Sequence, residues 1–179
     1  MRLPYAATRR PSDASSPRPT TDVEPNRFAE THSTRAVQHD TVEEVTVTRR
    51  LDVPPEAVRD TIRDVGPFTE AAGFNEVTAE DGAIYITNMV GILTVELTLT
   101  VLEDADAALA YEQRDGMFES MRTTYEVAET DDGSTVTATT EFALDVVLVG
   151  EVLDATVIKR QRRKELTAQF DWLETVCVG

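Results

Sequence analysis

The chain reads as an α+β fold in which a curved antiparallel sheet of about seven strands wraps a long C-terminal helix. Three observations predict it. Strand-like segments from Phe74 onward are punctuated by Asp81-Gly82, Asp115-Gly116 and Asp132-Gly133, pairs that suit tight hairpin turns because both positions tolerate positive φ. The chain then closes on one helical stretch, from about Leu148 to Val176. Ahead of the strands stand one further strand and a short helical pair opened by Pro54-Pro55. The element order is therefore β-α-α-β6-α. A sheet curled around a helix leaves room for a cavity, and a cavity suits a small ligand.

Residues 1 to about 40 hold five of the eight prolines, clustered Ser and Thr, and no sustained apolar periodicity. They are expected to form a disordered tail (1–40) ahead of a folded domain (41–179). The segment Thr41 to Val53 alternates, with Val45, Val47, Arg49, Leu51 and Val53 on one face, which predicts a strand. Pro54 and Pro55 end it, and Pro55 suits the first turn of a helix. Ala57, Val58, Ile62 and Val65 give that helix an apolar stripe; Gly66-Pro67 is expected to break it before one more turn over 68–72. Strands are then expected near 74–79, 83–90, 92–102, 107–114, 117–129 and 134–145. The clearest has Val95, Leu97, Leu99 and Val101 on one face and Thr94, Glu96, Thr98 and Thr100 on the other, a half-buried antiparallel strand. Short connections favour a meander. The closing helix carries a stripe of Val152, Ala155, Lys159, Arg162, Leu166, Phe170, Leu173 and Val176, apolar at both ends and basic in the middle.

The chain carries 33 acidic against 17 basic residues, for a net charge of −16. Such a surface repels nucleic acid and anionic membrane. Two of the basic residues are lysines, Lys159 and Lys164, and the rest are arginines. With abundant Ala, Val and Thr, this resembles proteins from organisms that keep molar salt in the cytoplasm; a GC-rich genome is the other source of an arginine excess. At molar salt the Debye length falls to about 3 Å, which screens the self-repulsion of the acidic surface. The melting temperature should therefore climb steeply with added KCl, and a flat profile in a thermal melt series would remove the halophilic reading.

No run of apolar residues is long enough to span a membrane. The start, Met1 to Ala7, has no apolar signal core, so a cytoplasmic protein is expected. One cysteine, Cys177, permits no intrachain disulfide. The two histidines, His32 and His39, lie in the tail, so the domain holds neither zinc ligands nor a Ser-His-Asp set. Acidic pairs such as Asp131-Asp132 fall at turns and read as solvated loops. No phosphate-cradling glycine loop is present. Neither a metal nor a cofactor is expected.

From about Val42 to Val176 the chain resembles the START-like, or SRPBCC, superfamily, which includes polyketide cyclase/dehydrase-like proteins and lipid-transfer domains. The resemblance lies in Val45 to Val58 (VTVTRRLDVPPEAV), a strand running into the first helix, and in Arg163 to Glu174 (RKELTAQFDWLE), similar to the closing helix of that group. It implies a helix-grip fold with a pocket between sheet and helix, and ligands that are hydrophobic or amphipathic small molecules. It implies no shared catalytic set.

Residues for that pocket can be nominated by face and type. Phe68, Phe74, Tyr85, Tyr125 and Trp172 are candidate apolar lining, and Met89, Met117 and Met121 would give adaptable walls. Arg49, Glu112 and Arg114 are charged groups assigned to inward faces, as ion pairs or as ligand contacts. In the basic run from Lys159 to Lys164, one reading is surface pairing with the acidic domain, including bonds of Arg162 or Arg163 with the nearby Glu165. The sharper one turns Lys159 and Arg162 inward, where each would need an acidic ligand or a partner carboxylate. The leading reading is a binder of a lipid- or polyketide-like molecule. The alternatives are a cyclase or hydrolase using Glu112 or Tyr85 as acid/base, and a protein-interaction module, either a homodimer or one serving an unidentified partner, as coenzyme Q-associated and chaperone-linked relatives are.

Overall fold

The computed structural model describes residues 42–104, 106–144 and 154–178. The expected tail and the expected start of the closing helix at Leu148 lie outside the described residues. Strand β1 (Glu43–Leu51) leads into helix α1 (Pro55–Arg63), which starts on a proline and buries Val58 and Ile62. Helix α2 (Val65–Glu70) follows at once. The break therefore falls at Asp64, whose ψ of 75° leaves the helical region, and not at Gly66-Pro67. Pro67 sits early in α2, where its missing N–H is one of the unpaired donors anyway.

Six strands then run in succession: β2 (Glu76–Glu80), β3 (Ala83–Val90), β4 (Leu93–Leu102), β5 (Leu109–Asp115), β6 (Phe118–Thr130) and β7 (Gly133–Leu144). Each lies within about two residues of its expected span. They form one antiparallel sheet in the order β1-β7-β6-β5-β4-β3-β2, so the meander is closed by the first strand lying beside the last. Register shifts at Thr98/Leu99 in the β4–β5 pair and at Phe118/Ser120 in the β6–β7 pair interrupt the ladder. Such bulges bend and twist a sheet.

Two Asp-Gly turns show why those residues stand there. Asp81 and Gly82 both take positive φ, 51° and 75°, the pattern of a tight hairpin matched to strand twist. Gly133 has φ 151° and lies directly against the end of β1: a Cβ there would stand 2.2 Å from the Leu51 carbonyl oxygen. Beside it the buried Ser134 hydroxyl donates to the Val53 carbonyl at 2.9 Å, tying the β6–β7 turn to the strand-to-helix corner.

The closing helix, α3 (Ala155–Val178), is capped by Asp154, whose Oδ1 accepts the Val157 N–H at 2.9 Å. It lies in the grip of the sheet with Leu166, Phe170 and Leu173 fully buried. Phe68 packs edge-on against Tyr125 at 5.0 Å and beside Trp172 at 6.3 Å, so α2, β6 and α3 meet in one aromatic cluster. Each such side chain, on full burial, contributes roughly 1.5–3 kcal/mol.

Ion pairs fasten α3 to β1 from outside. Arg49 donates to Asp171 at 2.8 Å and to Glu174 at 3.0 Å, and Lys159 pairs with Glu43. The sequence places Arg49 on a pocket face; in the structure it spans the seam between strand and helix, where α3 offers two carboxylates. Partly exposed pairs of this kind are worth about 1 kcal/mol or less each. No helix among the described residues is long and apolar enough to cross a membrane.

Candidate functional site

Between the sheet and the first half of α3 lies a partly enclosed cavity with about 60 Å³ open to the centres of water-sized molecules, room for a few waters. Its sheet wall is built by period-2 alternation. On β3 and β4 the inward positions are Ile86, Asn88, Val95, Leu97 and Leu99. Tyr111 on β5, Met117, Phe118 and Met121 around the start of β6, and Phe74 ahead of β2 continue the wall. The helix closes it with Ile158, Gln161, Arg162 and Glu165. The surface is therefore mostly apolar with its polar groups gathered mainly on the helix side.

Arg162 is 7 % exposed and reaches into the sheet. Its Nε donates to Thr140 Oγ1 at 2.9 Å, Nη1 to Glu165 Oε2 at 3.1 Å, and Nη2 to the Tyr111 hydroxyl at 2.6 Å and Thr123 Oγ1 at 3.3 Å. Thr123 and Thr140 also bond each other at 2.8 Å. Glu165 accepts a second bond, from Gln161 Nε2 at 3.0 Å. A guanidinium has five N–H groups, so one Nη1 hydrogen is left without a protein partner among the described residues.

A directed chain of bonds leads from this arginine into the core. Gln169 Nε2 donates to the Phe68 carbonyl at 3.0 Å, so its Oε1 faces Tyr125 and accepts from that hydroxyl at 2.7 Å. With the Tyr125 proton so committed, its 3.2 Å contact with the Tyr111 hydroxyl is donated by Tyr111. The order is Arg162, Tyr111, Tyr125, Gln169, Phe68 carbonyl.

Burial works against the charged form of Arg162, but the oxygens of Tyr111, Tyr125 and Glu165 outweigh it and push the pKa up. The guanidinium stays protonated. Burial, and then Tyr111, push the Tyr125 phenol well above its ordinary range, so it stays neutral and keeps its place as a donor.

The candidates read from the sequence separate into three groups. Phe74, Met117, Met121 and Arg162 stand around the cavity. Tyr125 lies beneath it in the bond chain, while Phe68 and Trp172 belong to the aromatic cluster behind. The rest are elsewhere. Tyr85 and Met89 alternate with the inward Ile84, Ile86 and Asn88, and so face outward, 43 % and 57 % exposed. Glu112 and Arg114 are exposed on the phase of β5 opposite to Tyr111. Lys159, with Glu43 as its partner, lies on the flank of α3 and does not line the cavity. Asn88, Tyr111 and Gln161 are not among the sequence candidates, and Glu165, expected as a surface partner of Arg162 or Arg163, pairs with Arg162 on the cavity lining instead. Asn88 is signalled by its phase with Ile84 and Ile86, and Glu165 by standing three residues after Arg162.

Among the described residues no group of three or more His, Cys, Asp or Glu could hold a metal ion.

Residues 42–177 match the family model described as polyketide cyclase / dehydrase and lipid transport. No curated protein is significantly similar in sequence. Solved structures with the same fold include TTHA0849 from Thermus thermophilus, at 16 % identity and a TM-score of 0.61 over 76 % of this chain and 97 % of that one. The ZhuI aromatase/cyclase from Streptomyces sp. R1128 aligns at 16 % identity and a TM-score of 0.61 over 75 % and 94 %. A START superfamily protein from Mycobacterium smegmatis aligns at 11 % identity and a TM-score of 0.52 over 76 % and 96 %. At such identities the likeness is one of fold.

Proposed function

Since the chain belongs to the polyketide cyclase / dehydrase and lipid transport family, we propose that it binds a hydrophobic or amphipathic small molecule between the sheet and α3. The observation that carries this reading is the cavity itself, an apolar surface with a small set of oriented polar groups at one side. Removal of apolar ligand surface from water drives binding, and the polar groups set its orientation. A lipid or polyketide is larger than the partly enclosed cavity, and it enters by displacing Met117 and Met121, whose unbranched side chains re-pack at low cost. The family's description, polyketide cyclase / dehydrase and lipid transport, supports a polyketide- or lipid-like ligand.

Acid–base chemistry has less support. Glu112 and Tyr85 face away, and Glu165, the carboxylate lining the cavity, already accepts two hydrogen bonds. The excess of acidic residues supports a working place in a salt-rich cytoplasm.

The reading is tested with Nile red, a neutral dye that brightens in apolar surroundings, titrated into the protein in concentrated KCl. The wild-type protein should bind it saturably. Met117→Trp, which fills the cavity from its half-buried edge, should weaken binding about 10-fold or more with an unchanged circular dichroism spectrum. Equal affinity in the two proteins would place the dye elsewhere and refute this site.

A further inference from the structure

Asn88 lies in phase with Ile84 and Ile86, is 7 % exposed, and lines the cavity. Its side-chain amide makes no hydrogen bond to any described residue. The neighbouring asparagine is used differently: Asn75 Oδ1 accepts the Met89 N–H at 2.9 Å and supports the backbone. The fully enclosed polar side-chain atoms without a partner among the described residues are Thr69 Oγ1 and Thr130 Oγ1; the Asn88 amide instead opens on the cavity, where a molecule inside can bond it. The remaining Nη1 hydrogen of Arg162 is a second unsatisfied group on the same lining.

Charge decides what kind of molecule suits these groups. Arg162 and Glu165 stand 3.1 Å apart at the cavity, each 7 % exposed, and they cancel. An anion meeting the guanidinium there also meets the carboxylate, so it would lose its water without gaining a net field. A cation faces the same balance in reverse. Outside the cavity, twenty-eight acidic against eleven basic residues from position 41 onward add a potential that repels anions at low salt.

We propose that the cavity selects an uncharged, mainly apolar molecule with a carbonyl or hydroxyl group, which bonds the Asn88 amide and the remaining Arg162 hydrogen. The assignment rests on the cavity-binding reading above and adds the ligand's charge. Of the two partners expected for an inward-turned basic residue, an acidic ligand or a carboxylate of the protein, Arg162 has the carboxylate.

The test compares 2-naphthol with 2-naphthoate, which share a ring system and differ in charge at neutral pH, with naphthalene as an apolar control. All three are assayed by displacement of Nile red in concentrated KCl. The wild-type protein should prefer naphthol to naphthoate by about 10-fold or more. Asn88→Leu should weaken naphthol several-fold relative to naphthalene, since it removes the amide and keeps the volume. Glu165→Gln should narrow the gap between naphthol and naphthoate by leaving the guanidinium uncompensated; where that variant does not fold, the wild-type and Asn88→Leu comparisons decide. Naphthoate binding as tightly as naphthol, or naphthol unaffected by Asn88→Leu, overturns the inference and leaves the cavity reading standing. Failure of Nile red and all three probes to bind overturns both.

Discussion

Replacing Arg162 with methionine is expected to lower the stability of the protein by about 3–5 kcal/mol, the range for breaking a buried ion pair. The variant keeps most of the side-chain volume, so the loss is electrostatic. Glu165, 7 % exposed, is left without its counter-charge, and the hydroxyls of Tyr111, Thr123 and Thr140 lose the donor that joins them. Removing both charges, in Arg162→Met with Glu165→Leu, should recover part of the loss, because two apolar groups in place of a buried pair leave no isolated ion. An exposed neighbour on the same helix provides the comparison: Arg160→Ala should change stability by no more than about 0.5 kcal/mol. Urea unfolding in concentrated KCl measures all of these. A loss below about 1 kcal/mol for Arg162→Met would mean that the pair is solvated and that the network does not hold the helix.

The second large effect is steric and lies at the opposite kind of position, a surface turn. Gly133→Ala should destabilise by about 3 kcal/mol, from a backbone conformation that L-residues rarely adopt together with a clash in a packed corner. The added methyl would stand 2.2 Å from the Leu51 carbonyl oxygen and 2.9 Å from the Val53 nitrogen, and both are backbone atoms that cannot swing aside. Relief requires the β6–β7 turn to lift from β1, breaking the Leu51–Ser134 pairing and the Ser134–Val53 bond. At Gly82 a methyl meets open space, so Gly82→Ala pays the left-handed backbone alone, about 1–2 kcal/mol. If the two alanine variants unfold at the same denaturant concentration, the corner is not close-packed.

The backbone was more legible than the cavity, for a physical reason. Strand limits are written in local signals: prolines at 54 and 55, Asp-Gly at three hairpins, and alternation strong enough on β4 to assign both faces. Which face points inward is a non-local property. On β3 the large apolar residues Tyr85 and Met89 occupy the outer face, while an asparagine continues the inner phase set by Ile84 and Ile86; residue type and period disagreed, and the period was right. On β5 both Ala110 and Tyr111 are buried, so burial alone does not give the phase there. On α3 the apolar stripe located Leu166, Phe170 and Leu173. The polar members of the same face carry no hydrophobic signal: Glu165 is marked only by its spacing from Arg162, and Gln169 becomes visible only when its partners on β6 and α2 are in place.

The same network has a consequence for how α3 is seated. Along its apolar half the helix repeats itself: Leu166, Phe170 and Leu173 follow one another at near one-turn spacing, and an axial slip of one turn exchanges one bulky hydrocarbon for the next at small cost. Apolar contact alone would leave several seatings close in energy. A slip of that size carries Arg162 away from Tyr111, Thr123 and Thr140 and draws Gln169 off Tyr125 and the Phe68 carbonyl, breaking the buried bonds that join the helix to the sheet and to α2. The network therefore serves as an index pin, admitting one axial position and one rotation, and the cavity takes its shape from a helix that has a single resting place.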